Sequence, residues 1–287
     1  MQAANPPAGP PTVVAAEGVR LRTDDGRARL DLTSGWNVAN VGWQHPAVVA
    51  AAARQLAELP YAPSWCPAPV RDRLAGALSD RLEGRFQALH AVTGAEAVET
   101  ALKVARRVTG RHAVVGFRES YHGSTLGALA AGGVEPARTV DLGPSPLFRL
   151  APVPDALRTA PDALAAEIRR VILAEPRPAA VLLEPLFTNP GVLPLDPGVR
   201  DAIAAATREA GALLVVDEVG TGIGRCGGFL AADVVGLDPD LVVLGKALGG
   251  AVAPISAVLL KTGIQKPPFG PAFDSTFAWM PFACAAA

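Results

Sequence analysis

In the stretch LLVVDEVGTGIGR, Leu213 to Arg225, an apolar run ends at two acids, Asp217 and Glu218, and then falls into glycines. A carboxylate buried at such a point is costly unless a cation is held against it, so Asp217 needs a positive partner. The next apolar run, DLVVLG, leads into Lys246 inside GKALGG. The chain has four lysines. Lys103 falls on the polar side of a helical pattern, and Lys261 and Lys266 follow a strand into a proline-containing loop. Lys246 alone follows a buried run and is flanked by glycines that let a ligand approach. Two outcomes are open: a direct Asp217 to Lys246 salt bridge, or a cationic ligand facing Asp217 with Lys246 as the amine that attacks it.

Other strand ends add chemistry. Thr93-Gly94-Ala95-Glu96 follows ALHAV as a capping box, with the Thr93 hydroxyl accepting from the Glu96 N-H while Glu96 reaches back. Free N-H groups and a positive dipole end at Gly94 and Ala95 suit an anion, although an ordinary capped helix reads the same way. After HAVVGF comes RESYHG, where Tyr121 can offer its ring to a flat ligand or pack as a core aromatic. His122 by itself reads as a hydrogen-bonded structural histidine, and Glu184, after AAVLL, as a cap or an arginine's partner. A lysine, a carboxylate, an anion-binding helix start and an aromatic face together describe a site for a phosphorylated aromatic aldehyde, a requirement that pyridoxal 5'-phosphate meets. Gly222, Gly224 and Gly227 spell G-x-G-x-x-G, but Asp217 and Glu218 intervene and no helical pattern follows, so a dinucleotide fold is rejected. GKA lacks the remaining features of a Walker A loop.

The elements that must hold these residues alternate. ALHAV, HAVVGF, AAVLLE, ALLVVDEV, DLVVLG and ISAVLL read as strands, with helices starting near Ala95, Ala163 and Val199. That order predicts an α/β fold, a mostly parallel sheet with helices on both faces and ligands beyond the strands' carboxyl ends. Upstream, Asp24-Asp25-Gly26 marks a hairpin. A helix is expected from His45 with Val48, Val49, Ala52 and Leu56 on one face, and another over Val70 to Leu82; residues 1–12 are expected to be disordered. In the helix after Thr93, Val98, Ala101, Leu102, Ala105 and Val108 form the apolar stripe.

Composition narrows the function classes. Half of the 287 residues are apolar, 18% are charged, and the formal net charge is −1 with the signs interspersed, which argues against nucleic acid and against a polybasic membrane anchor. No apolar run approaches the roughly 20 residues that span a bilayer. The three cysteines form no C-x-x-C pair, so neither a disulfide framework nor a metal site is expected and a reducing, cytoplasmic setting fits best.

Taken in order, LDLTSGWNVANVGWQHPAVVAA, VTGAEAVETALKVARR, SYHG, VLLEP, VVDEVGTGIGRCG, PDLVVLGKALGG and DSTFAWMPFACAAA resemble the class III, fold type I aminotransferases, which include ornithine, acetylornithine and 4-aminobutyrate aminotransferases. The resemblance covers about Leu30 to Ala287. It implies that Lys246 holds pyridoxal phosphate as a Schiff base and shuttles the substrate proton, and that Asp217 pairs with the pyridinium. It further implies that Val219 and Tyr121 sandwich the ring, with His122 beside it, and that Gly94 and Ala95 donate to the phosphate. Thr276 would reach the phosphate of the other subunit, which implies a homodimer; Trp36 would contact substrate and Glu184 would lie near the phenolic side. Amino donor and 2-oxo acid acceptor are the implied partners. Residues 13–60 correspond to a segment of the family's small domain and 61–287 to its cofactor-binding large domain, and a C-terminal domain is expected beyond Ala287. Departures are Gly220, where the family often has Gln, and Asn189, where several members keep a gating glutamate. Within the resemblance, a cofactor-binding or inactive fragment and a related racemase or decarboxylase stay open.

Overall fold

The computed structural model describes residues 11–133, 145–153, 159–266, 270 and 272–287. The expected disordered segment lies, up to residue 10, outside the described residues. The chain opens with an antiparallel meander of β1 (Val13–Glu17), β2 (Arg20–Thr23) and β3 (Ala28–Leu30). The predicted hairpin turns at Asp25, whose Oδ1 accepts from the Thr23 hydroxyl and the Arg27 N-H, while Gly26 takes the left-handed φ of 76°. Trp43 is then tied back onto Gly18 by a pair of backbone hydrogen bonds.

The main sheet contains β4 (Phe86–Ala91), β5 (Val114–Arg118), β6 (Gly132–Gly133), β7 (Phe148–Ala151), β8 (Ala180–Leu183), β11 (Leu213–Asp217), β12 (Leu241–Leu244) and β13 (Ser256–Lys261); β9 (Leu186–Phe187) and β10 (Leu193–Pro194) form a small separate pair. Its order is β4-β13-β12-β11-β8-β5-β6, with β7 also on β5. All pairings from β12 to β6 and β7 are parallel, and β13 alone runs antiparallel to its two neighbours. The continuous apolar runs follow from burial on both faces, since β8 and β12 have no exposed residue.

Alternation at period 2 sorts those strands into two cores. Val181, Leu183, Leu214, Val216, Val242 and Leu244 face one side, against Leu74, Leu78, Ile168, Ile172, Val199 and Ile203 of the helices Pro69–Arg81, Pro161–Leu173 and Pro197–Ala210. Leu182, Val215, Leu241 and Val243 face the other, against the helix Gly94–Thr109. Asp217 continues the face of Val215 and so points to the side where that helix begins.

Three sequence readings need correction. Val108 is exposed, because the stripe of the helix Gly94–Thr109 rotates off the sheet in its last turn. In the helix Pro46–Glu58, Val49 and Leu56 are exposed while Ala52 and Gln55 are buried, because the face turned inward is the one against the helix Pro281–Ala286. Glu96 does reach back, but to the N-H of Val92 rather than to the cap residue Thr93.

Candidate active site

The carboxyl ends of β4, β5, β8, β11 and β12 converge on a cavity of about 410 Å³, within the range of small-molecule sites. Trp36, Gly94, Ala95, Tyr121, His122, Glu184, Val219 and Lys246 line it together with Asp217, so these expected site residues come together. Thr276 does not: it is exposed, in the segment between Asp274 and Trp279, and does not line this cavity.

Asp217 is buried at the end of β11. Its Oδ1 accepts from the Val219 N-H (2.9 Å) and its Oδ2 lies 2.7 Å from His122 Nδ1. A carboxylate only accepts, so Nδ1 carries the hydrogen. The far ring nitrogen, Nε2, is 3.1 Å from the Ser120 hydroxyl, which itself lies 2.7 Å from the carbonyl of Phe117. His122 therefore clamps Asp217 to the end of β5, and the direct Asp217 to Lys246 salt bridge is not formed.

Lys246 follows Gly245 at the end of β12 and takes a left-handed φ of 42°, a strained setting for a side chain at a candidate site. Two of the competing lysines are engaged at the surface, Lys103 with the carbonyl of Ala272 and Lys261 with Asp238 at 2.6 Å.

The second acid does different work. Glu218 Oε2 accepts from the Thr221 hydroxyl (3.1 Å) and the Ala231 N-H (2.9 Å), and Oε1 from the Ala232 N-H (2.6 Å). It thus closes the loop onto the start of the helix Ala231–Val235, and burial raises its pKa against those bonds. The glycines of G-x-G-x-x-G wrap around it: a Cβ on Gly222 would stand 2.9 Å from the Glu218 carbonyl, and Gly224 and Gly227 have φ of 84° and 93°. This loop is turns throughout, which agrees with rejecting a nucleotide fold.

Glu184 is buried, and burial raises its pKa, opposed by His122 and by its bonds from Thr188. It accepts from the Tyr121 N-H (3.3 Å) and from the hydroxyl of Thr188 (2.6 Å), so it positions the backbone that carries Tyr121. The Tyr121 hydroxyl meets Ser124 Oγ at 3.1 Å.

The helix start is shaped by close contacts. A Cβ on Gly94 would lie 2.9 Å from Val219 Cγ1, and one on Gly123, at φ 127°, would lie 2.5 Å from Ala95 Cβ. Thr93 caps the Glu96 N-H (3.2 Å), and the first-turn amides of Gly94 and Ala95 have no intrahelical acceptor. A cavity of this size with an amine, a buried carboxylate, an aromatic ring and an open helix start fits pyridoxal phosphate. Ser124, Thr125 and Thr188 also line it. Nothing in their sequence pattern distinguishes such hydroxyls from ordinary loop residues.

Residues 3–287 match the family model described as aminotransferase class-III. An acetylornithine aminotransferase of Halalkalibacterium halodurans is 32% identical over 276 residues, spanning 96% of this chain and 68% of that protein. A 5-aminovalerate aminotransferase of Pseudomonas aeruginosa is 34% identical over 281 residues, 95% of this chain and 66% of its own length. Among solved structures, a thermostable (S)-enantioselective omega-transaminase from Thermomicrobium roseum superposes with a TM-score of 0.88 at 30% identity, covering 97% of this chain and 67% of that one. The ornithine aminotransferase of Toxoplasma gondii gives 0.85 at 29%, covering 99% and 67%. The chain thus spans about two thirds of the length of these relatives.

Proposed function

The chain belongs to the class-III aminotransferases, pyridoxal phosphate enzymes of fold type I that move an amino group to a 2-oxo acid, and from that premise we propose which of its residues carry the transfer. When bound, the cofactor supplies an electron sink for the carbon that loses its proton. Lys246 is the amine that binds it and the base that moves the substrate proton. Asp217, held by His122 and the Val219 N-H, keeps the proton on the ring nitrogen. Gly94 and Ala95 donate to the phosphate, Tyr121 and Val219 enclose the ring, Glu184 supports the Tyr121 side, and Trp36 borders the substrate space. The observation that carries this reading is the placement of Lys246 and the Asp217 to His122 pair in one cavity with the start of the helix Gly94–Thr109.

Thr276, exposed and outside this cavity, serves the phosphate of a second copy, so the working unit is a homodimer. The division into a small-domain segment, 13–60, and a cofactor domain, 61–287, belongs to the same proposal and is supported by the separate sheet of β1 to β3. The donor is an amino acid or amine. A cytoplasmic setting is supported by three free cysteines; no helix among the described residues is long and apolar enough to cross a membrane.

The test is to add pyridoxal phosphate, reduce with borohydride and map the labelled peptide by mass spectrometry. A pyridoxyl group on Lys246, absent from Lys246→Ala together with turnover, is expected. Label scattered over the other lysines, or transfer retained by Lys246→Ala, overturns the assignment.

A further inference from the structure

Most close-packed glycines at this site are explained by what a side chain would strike, and Gly220 is not. A Cβ there would have its nearest neighbours at 3.7 Å (Asn37 Nδ2), 3.7 Å (Lys246 Nζ) and 3.9 Å (Thr188 Cγ2), all ordinary contacts, and its φ is outside the left-handed region. Neither the backbone nor the packing requires glycine. What its missing side chain keeps open is a space bounded by the Lys246 amine and the Asn37 amide.

Asn37 is brought there at a conformational cost. Ser34, Gly35, Trp36 and Asn37 have φ of 51°, 58°, 63° and 65°, four left-handed residues in a row, a conformation that is unfavourable for each residue with a side chain. The turn is held from below. Asp31 accepts from the Thr33 N-H (3.0 Å), the Thr33 hydroxyl (2.8 Å) and Trp43 Nε1 (2.8 Å), and Gly35 makes room for the Trp43 ring, which a Cβ would approach to 2.4 Å. Strain maintained by such supports is a mark of functional segments. Among the described residues, Asn37 Nδ2 has no hydrogen-bond partner.

In pyridoxal phosphate the phenolic oxygen stands on the ring carbon next to the one bearing the aldehyde. The ring carbon on the other side carries the phosphate arm, which is assigned to the helix start at Gly94 and Ala95, whereas Gly220 lies beside Thr188, the partner of Glu184; a donor on this side of the amine faces the phenolic oxygen. We propose that Asn37 is this donor, its amide N-H binding the cofactor's phenolate through the space that Gly220 leaves open. The inference rests on Lys246 being the cofactor lysine.

The readout is the pH midpoint at which the lysine-linked cofactor loses its proton, followed by absorbance. A donor to the phenolate favours the deprotonated form, in which the phenolate charge is no longer shared with the nitrogen's hydrogen, so it lowers the midpoint. Hydrogen bonds to charged groups suggest an upward shift of about one pH unit when this one is removed. Asn37→Gly removes the amide and keeps the left-handed backbone; Asn37→Asp keeps the shape and replaces the donor by a negative charge. Both are expected to raise the midpoint, Asn37→Asp more. Gly220→Gln added to Asn37→Gly supplies an amide from the opposite wall and is expected to bring the midpoint back down. Unchanged midpoints in both single variants overturn the role of Asn37 while leaving Lys246 in place. A parent chain that forms no chromophore at Lys246 overturns both.

Discussion

Asp217→Asn exchanges one carboxylate oxygen for NH2 and removes the charge while leaving the hydrogen-bond network a way to close. The Val219 N-H, at 2.9 Å from Oδ1, keeps its acceptor. At Oδ2, 2.7 Å from His122 Nδ1, the new amide donates, and the ring answers by changing tautomer. Nε2 then carries the hydrogen and donates to Ser120 Oγ at 3.1 Å, whose own hydrogen serves the Phe117 carbonyl at 2.7 Å. Every buried group stays satisfied, so folding stability should change by no more than about 1 kcal/mol. Asp217→Ala instead leaves His122 Nδ1 and the Val219 N-H without acceptors, at about 1 to 3 kcal/mol each. Cofactor chemistry should respond differently. Losing the charge opposite a cationic ring nitrogen forfeits about 3 kcal/mol, or roughly a hundredfold in rate. Urea denaturation and single-turnover transfer, measured on the same preparations, separate the two effects. A transfer rate for Asp217→Asn within tenfold of the parent would show that the charge is not needed. If this variant instead lost as much stability as Asp217→Ala, the pair would be an element of the fold and not of the chemistry.

Three other outcomes are expected. Arg71 is buried and donates to four backbone carbonyls, those of Ala62, Pro63, Cys66 and Trp279, at 2.7 to 2.9 Å; Arg71→Met should cost about 3 to 5 kcal/mol in urea melts, and a loss under about 1 kcal/mol refutes this anchoring role. His90, stacked on Trp279 at 4.3 Å between ring centroids, has its pKa lowered from 6.5 to about 4 by burial, then by Lys266 and Arg71, with Asp274 and Asp72 opposing. Its neutral form is the one that fits, so the contribution is complete above pH 6.5 and lost as pH falls towards 4, and a difference of about 2.5 units is worth about 3 kcal/mol. His90→Phe should flatten that part of the stability profile, and an unchanged acid slope would discount His90. Gly94→Ala places a methyl 2.9 Å from Val219 Cγ1 and should weaken cofactor binding by about 1 to 3 kcal/mol; equilibrium titration should show partial recovery when Val219→Ala makes room, and no recovery would mean that the contact is not the cause.

Much of this protein was legible from one dimension. The runs ending at Asp217 and Lys246 read as strands because residues buried on both faces of a parallel sheet leave no polar alternation, and the ligand side then follows from strand direction. Thr93 and Glu96 marked a helix start because capping is a local event within four residues. Periodicity was less reliable at the margins: Val49, Leu56 and Val108 have the spacing of a core face but are exposed, because which arc of a helix is covered depends on the neighbour's position.

Other facts exist only in three dimensions. The two neighbouring acids of VVDEV have unrelated tasks, Asp217 gripped by His122 from 95 positions away and Glu218 capping residues 231 and 232. Alternation places them on opposite sides of one strand end, and only packing decides what each side meets. Likewise Asn37 and Gly220 are distant in sequence: Gly220 stands out only as a departure from the family's motif, and nothing local marks Asn37 as a site residue. A meeting point of two loops is set by the sheet order and by a left-handed turn built on Asp31, Gly35 and Trp43. The sequence by itself determined the strand ends, which rest on local patterns of burial and capping, and the family of chemistry, which rests on the resemblance of its ordered motifs. Which side chains share the space around Lys246 was decided by tertiary structure, because that space is bounded by segments with no local pattern in common.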